Sequence, residues 1–391
     1  MPAESELITI DKRLLPMSWL YGLGVRFRNK LFDLGVLKSK SYSVPIISVG
    51  NITVGGTGKT PHVEYLIELM KDDAQLAVLS RGYKRQTKGY LLADEKSTVA
   101  DIGDEPYQMK QKYPSVHVAV AEKRCEGIER LTTDEPTKDT DVILLDDAYQ
   151  HRYVKPGINI LLVDYHRLIV YDKMLPAGRL REPVNGKNRA DIVIVTKCPQ
   201  TLNPIDYRVV SKALDLYAYQ SLLFSSLDYG ELKPFMGGEP RPLNDISGHD
   251  VLLLTGIASP QQMENDLSTY DARFTPMTFP DHHDFSEDDV TAINGQFTAL
   301  PSPKLIITTE KDATRLRCTN GLSEEVKSHL YVLPIRIKFL LNHETTFKNK
   351  ILSYVRKNSR DSILVKKKDD HKPKDGDHTG NRPRTISFRN N

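Results

Sequence analysis

Cysteine is scarce in this chain. Three of 391 residues, Cys125, Cys198 and Cys318, lie far apart and form no CxxC pair. That excludes a disulfide framework or a zinc site and fits a reducing compartment. Long apolar runs are missing too. The longest are short pieces such as Val142 to Leu145 and Ile160 to Val163, far below the roughly 18 residues of a membrane span. The opening MPAESELITIDK carries acids and no apolar core, so no secretory leader is expected. An excess of charge of one sign is also absent. There are 54 Lys and Arg against 51 Asp and Glu, a formal +3. A nucleic-acid binder shows a domain-wide basic surplus, so no nucleic-acid partner is expected, and no obligate protein partner is indicated.

The small charge is unevenly placed. Residues 361–391 hold eight basic and five acidic side chains and so carry the whole +3. Residues 11–40 hold seven basic and two acidic, a local +5, and the remainder is slightly acidic. Within that basic segment, Leu20, Leu23, Phe27, Leu31 and Leu34 recur at helical spacing. Arg26, Lys30 and Asp33 form another stripe, and Trp19, the only tryptophan, stands near the start. An amphipathic helix over about 14–37 follows, weakened in its first half by Gly22 and Gly24. Such a helix either docks on the core or lies on a membrane surface. Periodicity alone favours docking.

Beyond it, apolar runs at 44–49, 75–80, 116–121, 142–145, 158–163 and 191–196 alternate with helical patterns. Continuous apolar strands of this kind belong to a mostly parallel α/β sheet with helices on both faces. Residues 225–242 are rich in Gly and Pro and read as a linker or hinge. A second βα set follows, with strands at 251–255 and 304–308 and an alternating run at 331–340. The expected division is a large domain at 1–232, a smaller α/β lobe at 233–345, and a basic, largely disordered tail at 346–391.

The strongest local signal is VGNITVGGTGKTP, Val49 to Pro61. A buried strand, a glycine-rich turn and Gly58-Lys59-Thr60 opening a helix form the physical recipe of a P-loop. Backbone N–H groups across Thr53, Val54, Gly55, Gly56, Thr57 and Gly58 converge on phosphate oxygens, aided by the helix N-terminus. Lys59 reaches the β- and γ-phosphates and the Thr60 hydroxyl reaches Mg²⁺. One departure stands out: GxxxxGK[ST] wants glycine where this chain has Thr53. The apolar run Val142 to Leu145 ends in Asp146 and Asp147, which places carboxylates beside the Mg²⁺ at the sheet's carboxyl edge. Which of the two faces the metal is open. Guanine recognition lacks its acid, since Thr196-Lys197-Cys198 is followed by Pro199; ATP is the better fit. The fold class is thus α/β, P-loop NTPase-like, with a second smaller lobe.

These residues carry a resemblance. GNITVGGTGKTP, SRGY (Ser80 to Tyr83), GDEP (Gly103 to Pro106), DDAYQHR (Asp146 to Arg152), LPAGRLREP (Leu175 to Pro183), FPDHHDF (Phe279 to Phe285) and TEKDA (Thr309 to Ala313) run in one order. The set resembles the tetraacyldisaccharide 4'-kinase family, the lipid A 4'-kinases of Gram-negative bacteria. The resemblance implies transfer of the ATP γ-phosphate to the 4'-hydroxyl of a tetraacylated glucosamine disaccharide 1-phosphate. It implies two α/β lobes joined by a β-hinge, and peripheral work at the cytoplasmic face of the inner membrane without a transmembrane span. It implies Asp104 as catalytic carboxylate and base, paired with His282, although His283 is an adjacent alternative. It also implies that Arg81, Tyr83, Arg124, Gln150, His151, Arg181 and Glu182 line the lipid headgroup site. Ala148 stands where a glycine is expected, which requires a negative φ. With such a substrate, the basic helix reads as membrane-facing.

Two other classes fit the loop alone. A kinase of a soluble sugar or metabolite has no need of Arg26, Arg28 and Lys30 beside Trp19 and Phe27. A P-loop switch or metallochaperone ATPase would want a CxxC or His-rich metal motif, which is absent.

Overall fold

The computed structural model describes residues 10–257, 260–281 and 283–358. In chain order its strands are β1 (Ile46–Gly50), β2 (Leu76–Ser80), β3 (Leu91–Leu92), β4 (His117–Val120), β5 (Val142–Asp146), β6 (Ile158–Asp164), β7 (Ile192–Thr196) and β8 (Ser221–Tyr229). There follow β9 (Lys233–Pro234), β10 (Asp250–Thr255), β11 (Arg273–Thr278), β12 (Lys304–Thr309), β13 (Leu330–Leu333) and β14 (Ile335–Phe339). Nine of them make one sheet in the order β14-β8-β7-β6-β1-β5-β2-β4-β3, and five make another in the order β11-β10-β12-β13-β9.

In the larger sheet β1 pairs in parallel with β5 and β6, β2 with β4 and β5, and β7 with β6 and β8. Every residue of β1, β2, β5 and β7 is buried. A strand covered on both faces has no solvent side, so its sequence shows no polar alternation. After β1 the chain lays down β2, β3 and β4 on one side and then inserts β5 between β1 and β2; from β6 on it builds on the other side. β1 and its neighbours therefore mark the point where strand order reverses, and the crevice outside their carboxyl ends is where α/β sheets bind ligands.

The described chain divides into two compact units, one of residues up to Ser226 together with those from Phe339, the other Leu227–Lys338. The chain leaves the first unit within β8 and returns within β14, and these two strands are neighbours in one sheet. The second unit has its own parallel core, β10 paired with β11 and β12, and β12 with β13. β11 holds Pro276 and is an edge strand with four exposed residues, the place where a missing N–H costs least.

Three expectations are corrected. The stretch expected as linker from 225 continues β8 to Tyr229. The alternating run at 331–340 is two strands in different sheets, separated at Pro334. Residues from 346 do not begin a tail: His343–Asn358 is a helix that buries Phe347, Ile351 and Val355. Its Tyr354 hydroxyl accepts from the Ile46 N–H at 3.1 Å, which ties this helix to the first unit. Apolar residues at 347, 351 and 355 give it a four-residue repeat; the charged composition around them hid that repeat.

The N-terminal helix is Leu15–Asp33. It docks through small and polar groups. Ser18 and Gly22 are buried, and Ser18 Oγ accepts from the Ala177 N–H at 2.9 Å. Tyr21 donates to the Arg181 carbonyl at 3.1 Å and Arg28 to the Gln150 carbonyl at 3.1 Å. Arg152 donates to the Asn29 carbonyl and to Asp33, at 2.9 and 2.6 Å. The apolar stripe is left outside: Trp19, Leu20, Leu23 and Phe27 are 63%, 63%, 51% and 64% exposed. Docking and an outward apolar face thus coexist in one helix.

Candidate active site

β1 ends at Gly50, where a side chain has no room: a Cβ there would stand 2.8 Å from Tyr149 Cβ. The following loop starts extended. Thr53 forms an antiparallel bridge with Leu180, Val54 N–H donates to the Arg179 carbonyl at 2.8 Å, and Arg181 N–H to the Ile52 carbonyl at 2.7 Å. Thr53 is not among the positive-φ residues. That explains the missing glycine: the first loop position is a short strand, not a left-handed turn. The turn itself is at Gly55 (φ 105°) and Gly58 (φ 79°), where a left-handed backbone favours glycine. Val54, Gly55 and Gly56 are exposed, and helix Lys59–Met70 begins immediately after.

Asn51, which the loop pattern does not single out, holds the loop closed. Its Nδ2 donates to Thr57 Oγ1 at 2.8 Å, its Oδ1 accepts from Arg181, and its carbonyl accepts from Gln150 at 2.6 Å. Thr196 Oγ1 donates to the Thr57 carbonyl at 3.1 Å. His62 is buried, and burial lowers its pKa to about 4, so the ring is neutral. Its Nδ1 lies 2.7 Å from the Gly58 carbonyl, which can only accept, so Nε2 accepts from the Ser225 hydroxyl at 3.1 Å.

The register Val49↔Asp146 sets the end of β5 beside the end of β1. The two acids there differ in environment. Asp147 sits at φ 46°, ending the strand and turning its side chain out of the pleat, while Ala148 keeps a negative φ. Arg181 grips both Asp147 oxygens, at 3.0 and 3.3 Å, and Lys59 Nζ lies 3.8 Å away. Burial alone would raise the Asp147 pKa, but Lys59 and Arg181 outweigh it and hold the carboxyl below its usual range. Asp146 is 5% exposed. Its Oδ2 accepts from Ser80 at 3.2 Å, and its Oδ1 has no partner. Burial, and then the neighbouring Asp147, push its pKa up to about 6. A buried carboxylate with one orphaned oxygen is an uncompensated cost that a bound cation would relieve. Among the described residues no group of three His, Cys, Asp or Glu could hold a metal. Mg²⁺ takes one or two carboxylates and completes its shell with phosphates and water.

The GDEP loop lies on the same side. Gly103 has φ 88°, and a Cβ there would meet the Tyr83 carbonyl oxygen at 2.8 Å; at Gly82 a Cβ would meet the Ile102 carbonyl at 2.9 Å. Two glycines thus interlock SRGY with GDEP, with the Tyr83 main chain against Gly103, the residue before Asp104. Asp104 opens helix Asp104–Lys112, which docks on helix Lys59–Met70: Gln108 and Lys112 donate to buried Glu64 at 2.9 and 2.6 Å. Glu105, not anticipated, acts electrostatically on Asp146.

The other expected headgroup residues divide. Arg81 and Tyr83 are exposed. Arg124 is 1% exposed and donates to the carbonyls of Ala121 and Asp146, with burial bringing its pKa down to about 10. Glu182, also 1% exposed, accepts from Arg189 at 2.6 Å. Both have internal partners and almost no exposed surface. His151 contacts the Glu122 carbonyl at 3.0 Å, and burial and Arg124 lower its pKa. In the second unit, Asp312 of TEKDA accepts from the Gly256 N–H at 2.8 Å and Lys311 pairs with Asp281 at 3.0 Å. His283 pairs with Asp289 at 2.8 Å. His282 lies outside the described residues.

A model of the family described as tetraacyldisaccharide-1-P 4'-kinase matches residues 10–356. The chain belongs to this kinase family. A tetraacyldisaccharide 4'-kinase of Phocaeicola vulgatus is 55% identical over 92% of this chain and 99% of its own length. One from Flavobacterium johnsoniae is 44% identical over 89% and 98%. A crystal structure of LpxK from Aquifex aeolicus in complex with ATP is similar at TM-score 0.68 and 31% identity, covering 88% of this chain and 98% of that one. As a tetraacyldisaccharide-1-P 4'-kinase family member, the chain is an α/β kinase whose loop Thr53–Thr60 lies at the sheet's switch point. The metallochaperone alternative falls with that membership.

Proposed function

We propose that this protein transfers the γ-phosphate of ATP to the 4'-hydroxyl of a tetraacyl-glucosamine disaccharide 1-phosphate in lipid A biosynthesis. It would work peripherally at the cytoplasmic face of the inner membrane. The observation that carries this reading is the edge just described: a phosphate loop, Lys59, and a buried carboxylate with an unsatisfied oxygen, overlaid by a helix with an outward apolar face. Phosphoryl transfer needs mainly alignment and charge neutralisation. Gly55 to Thr60 hold the β- and γ-phosphates and Lys59 neutralises them. Thr60 and Asp146 would hold Mg²⁺, with Asp147 kept in place by Arg181. Bound there, the ion would neutralise phosphate charge. Asp104 takes the proton of the acceptor hydroxyl, with His282 kept as the partner that the family resemblance alone implies. Arg81, Tyr83, Gln150 and His151 meet the headgroup, while Arg181, Glu182 and Arg124 position that surface.

The test of this acid–base assignment is Asp104→Asn. Loss of a general base lowers kcat by about 10²–10⁴-fold, while ATP affinity and melting temperature stay near wild type. Unchanged turnover with the labelled disaccharide removes Asp104 from the base role.

The N-terminal helix rests on the loops of DDAYQHR and LPAGRLREP, so a membrane-lying helix would bring those loops to the lipid surface. No helix among the described residues is long and apolar enough to cross a membrane. Its exposed stripe, flanked by Arg26 and Lys30, suits an anionic interface, where each basic residue adds about 1 kcal/mol before screening. Leu20→Glu with Phe27→Glu leaves the docked face, Ser18, Gly22 and Phe32, intact. The double variant is expected to lose sedimentation with anionic vesicles and to raise the KM for the lipid about tenfold, with unchanged melting. Wild-type partitioning in the variant contradicts the membrane role.

A further inference from the structure

LPAGRLREP sets two arginines two residues apart, and their surroundings differ. Arg181 is occupied by Asp147 and Asn51. Arg179 has its main chain fixed on both sides: its N–H donates to Asp172 Oδ1 at 3.1 Å and its carbonyl accepts from Val54 at 2.8 Å. Asp172 is 4% exposed and is already held by the Arg167 fork at 2.6 and 3.1 Å and by the Lys173 N–H at 2.7 Å. It therefore does not claim the Arg179 side chain. The preceding Gly178 permits a tight fold-back, since a Cβ there would stand 2.2 Å from the Lys173 carbonyl oxygen.

The Arg179 guanidinium is exposed, with no hydrogen bond or ion pair among the described residues. Its Nη1 is 3.8 Å from where a Cβ on Gly55 would sit. Gly55 opens the phosphate turn and is itself exposed. A braced loop thus delivers an uncompensated cation to the Gly55 end of the turn, opposite in sequence to Lys59. Such a side chain has no structural partner to lose and a planar fork suited to two phosphate oxygens.

We propose that Arg179 is a further catalytic residue, contacting the ATP triphosphate and stabilising the charge that develops during transfer. The inference rests on reading this loop as the ATP site. In the step it serves, the acceptor oxygen bonds to the γ-phosphorus and its proton passes to Asp104. The bond from the γ-phosphorus to the β,γ-bridging oxygen breaks, and its electron pair stays on ADP. An arginine acting within the same chain on this charge contributes about 10³-fold or more in other P-loop enzymes.

The test uses the full chain with Arg179→Ala and Arg179→Lys, at saturating tetraacyl disaccharide 1-phosphate. Expected is a kcat loss of about 100-fold or more for Ala, partly restored by Lys, with the lipid KM, ADP affinity and melting temperature unchanged. An Ala variant within about threefold of wild-type kcat, or a loss seen only in the lipid KM, overturns the proposal. Lys59→Ala run beside it separates the two readings. If it too retains activity, the ATP-site reading itself fails; if only Arg179→Ala does, this inference alone fails.

Discussion

Asp146→Asn is expected to give a protein that is nearly inactive and, without metal, more stable than wild type. The expectation follows from one orphaned oxygen. Asp146 is 5% exposed, among the described residues only Ser80 reaches its carboxylate through a hydrogen bond, and Asp147 adjoins it. The folded state bears the cost of that ionised group, as its pKa of about 6 against an ordinary 3.8 reflects. Two pKa units correspond to about 3 kcal/mol as an upper bound, reduced because the new amide brings N–H groups that themselves need partners. A gain of about 1–2 kcal/mol remains, read as a higher melting temperature in the presence of a chelator.

The sign is fixed by linkage. A raised carboxyl pKa means that the folded state binds the proton more tightly than the unfolded one. Wild-type stability from this group is therefore full below about pH 4 and lost as pH rises through about 6. The advantage of the Asn variant over wild type should accordingly be largest above pH 6 and vanish toward pH 4. Activity moves the other way: removing the charge that would face Mg²⁺ lowers kcat by about three orders of magnitude. A variant that is both inactive and less stable at pH 7 would mean that Asp146 is a structural acid.

Lys59→Ala is expected to lower kcat about 10³-fold with melting nearly unchanged. Its ammonium is the cation that the GK position extends toward the β- and γ-phosphates, and in a partly enclosed site one such group is worth several kcal/mol of transition-state charge. In the fold it matters less. The Asp147 contact is long, 3.8 Å, and Arg181 holds the same carboxylate bidentately, so Asp147 is not left alone. Lys59→Arg is expected to restore little, because a planar fork does not replace a compact point charge at the start of a helix. Turnover within tenfold of wild type in the Ala variant would remove the loop from catalysis.

Much of this site was legible along the chain because a P-loop is local: strand, glycines, lysine and helix are consecutive, and the acid-ending strand announces its own edge. The register Val49↔Asp146 then brought the two signals together. What escaped was non-local or carried by unremarkable residue types. Asn51 acts through partners at 57, 150 and 181, and no spacing announces that. Thr53 looked like a defect until its bridge to Leu180 showed a strand where a turn was assumed. The resemblance implies headgroup contact for Arg124 and Glu182, and both are buried with internal partners. Their burial is a tertiary property that residue type does not encode. The helix at 343–358 was hidden for a related reason, since its three buried residues stand among lysines and polar groups.

The most direct measurement is a transfer assay with γ-labelled ATP, offering wild-type protein the tetraacyl disaccharide 1-phosphate or a deacylated, soluble disaccharide 1-phosphate, and locating the label on the product. The account predicts label on the 4'-oxygen of the acylated disaccharide, with far slower transfer to the soluble one. Release of labelled phosphate without a labelled lipid, or equal transfer to the soluble sugar, would contradict it.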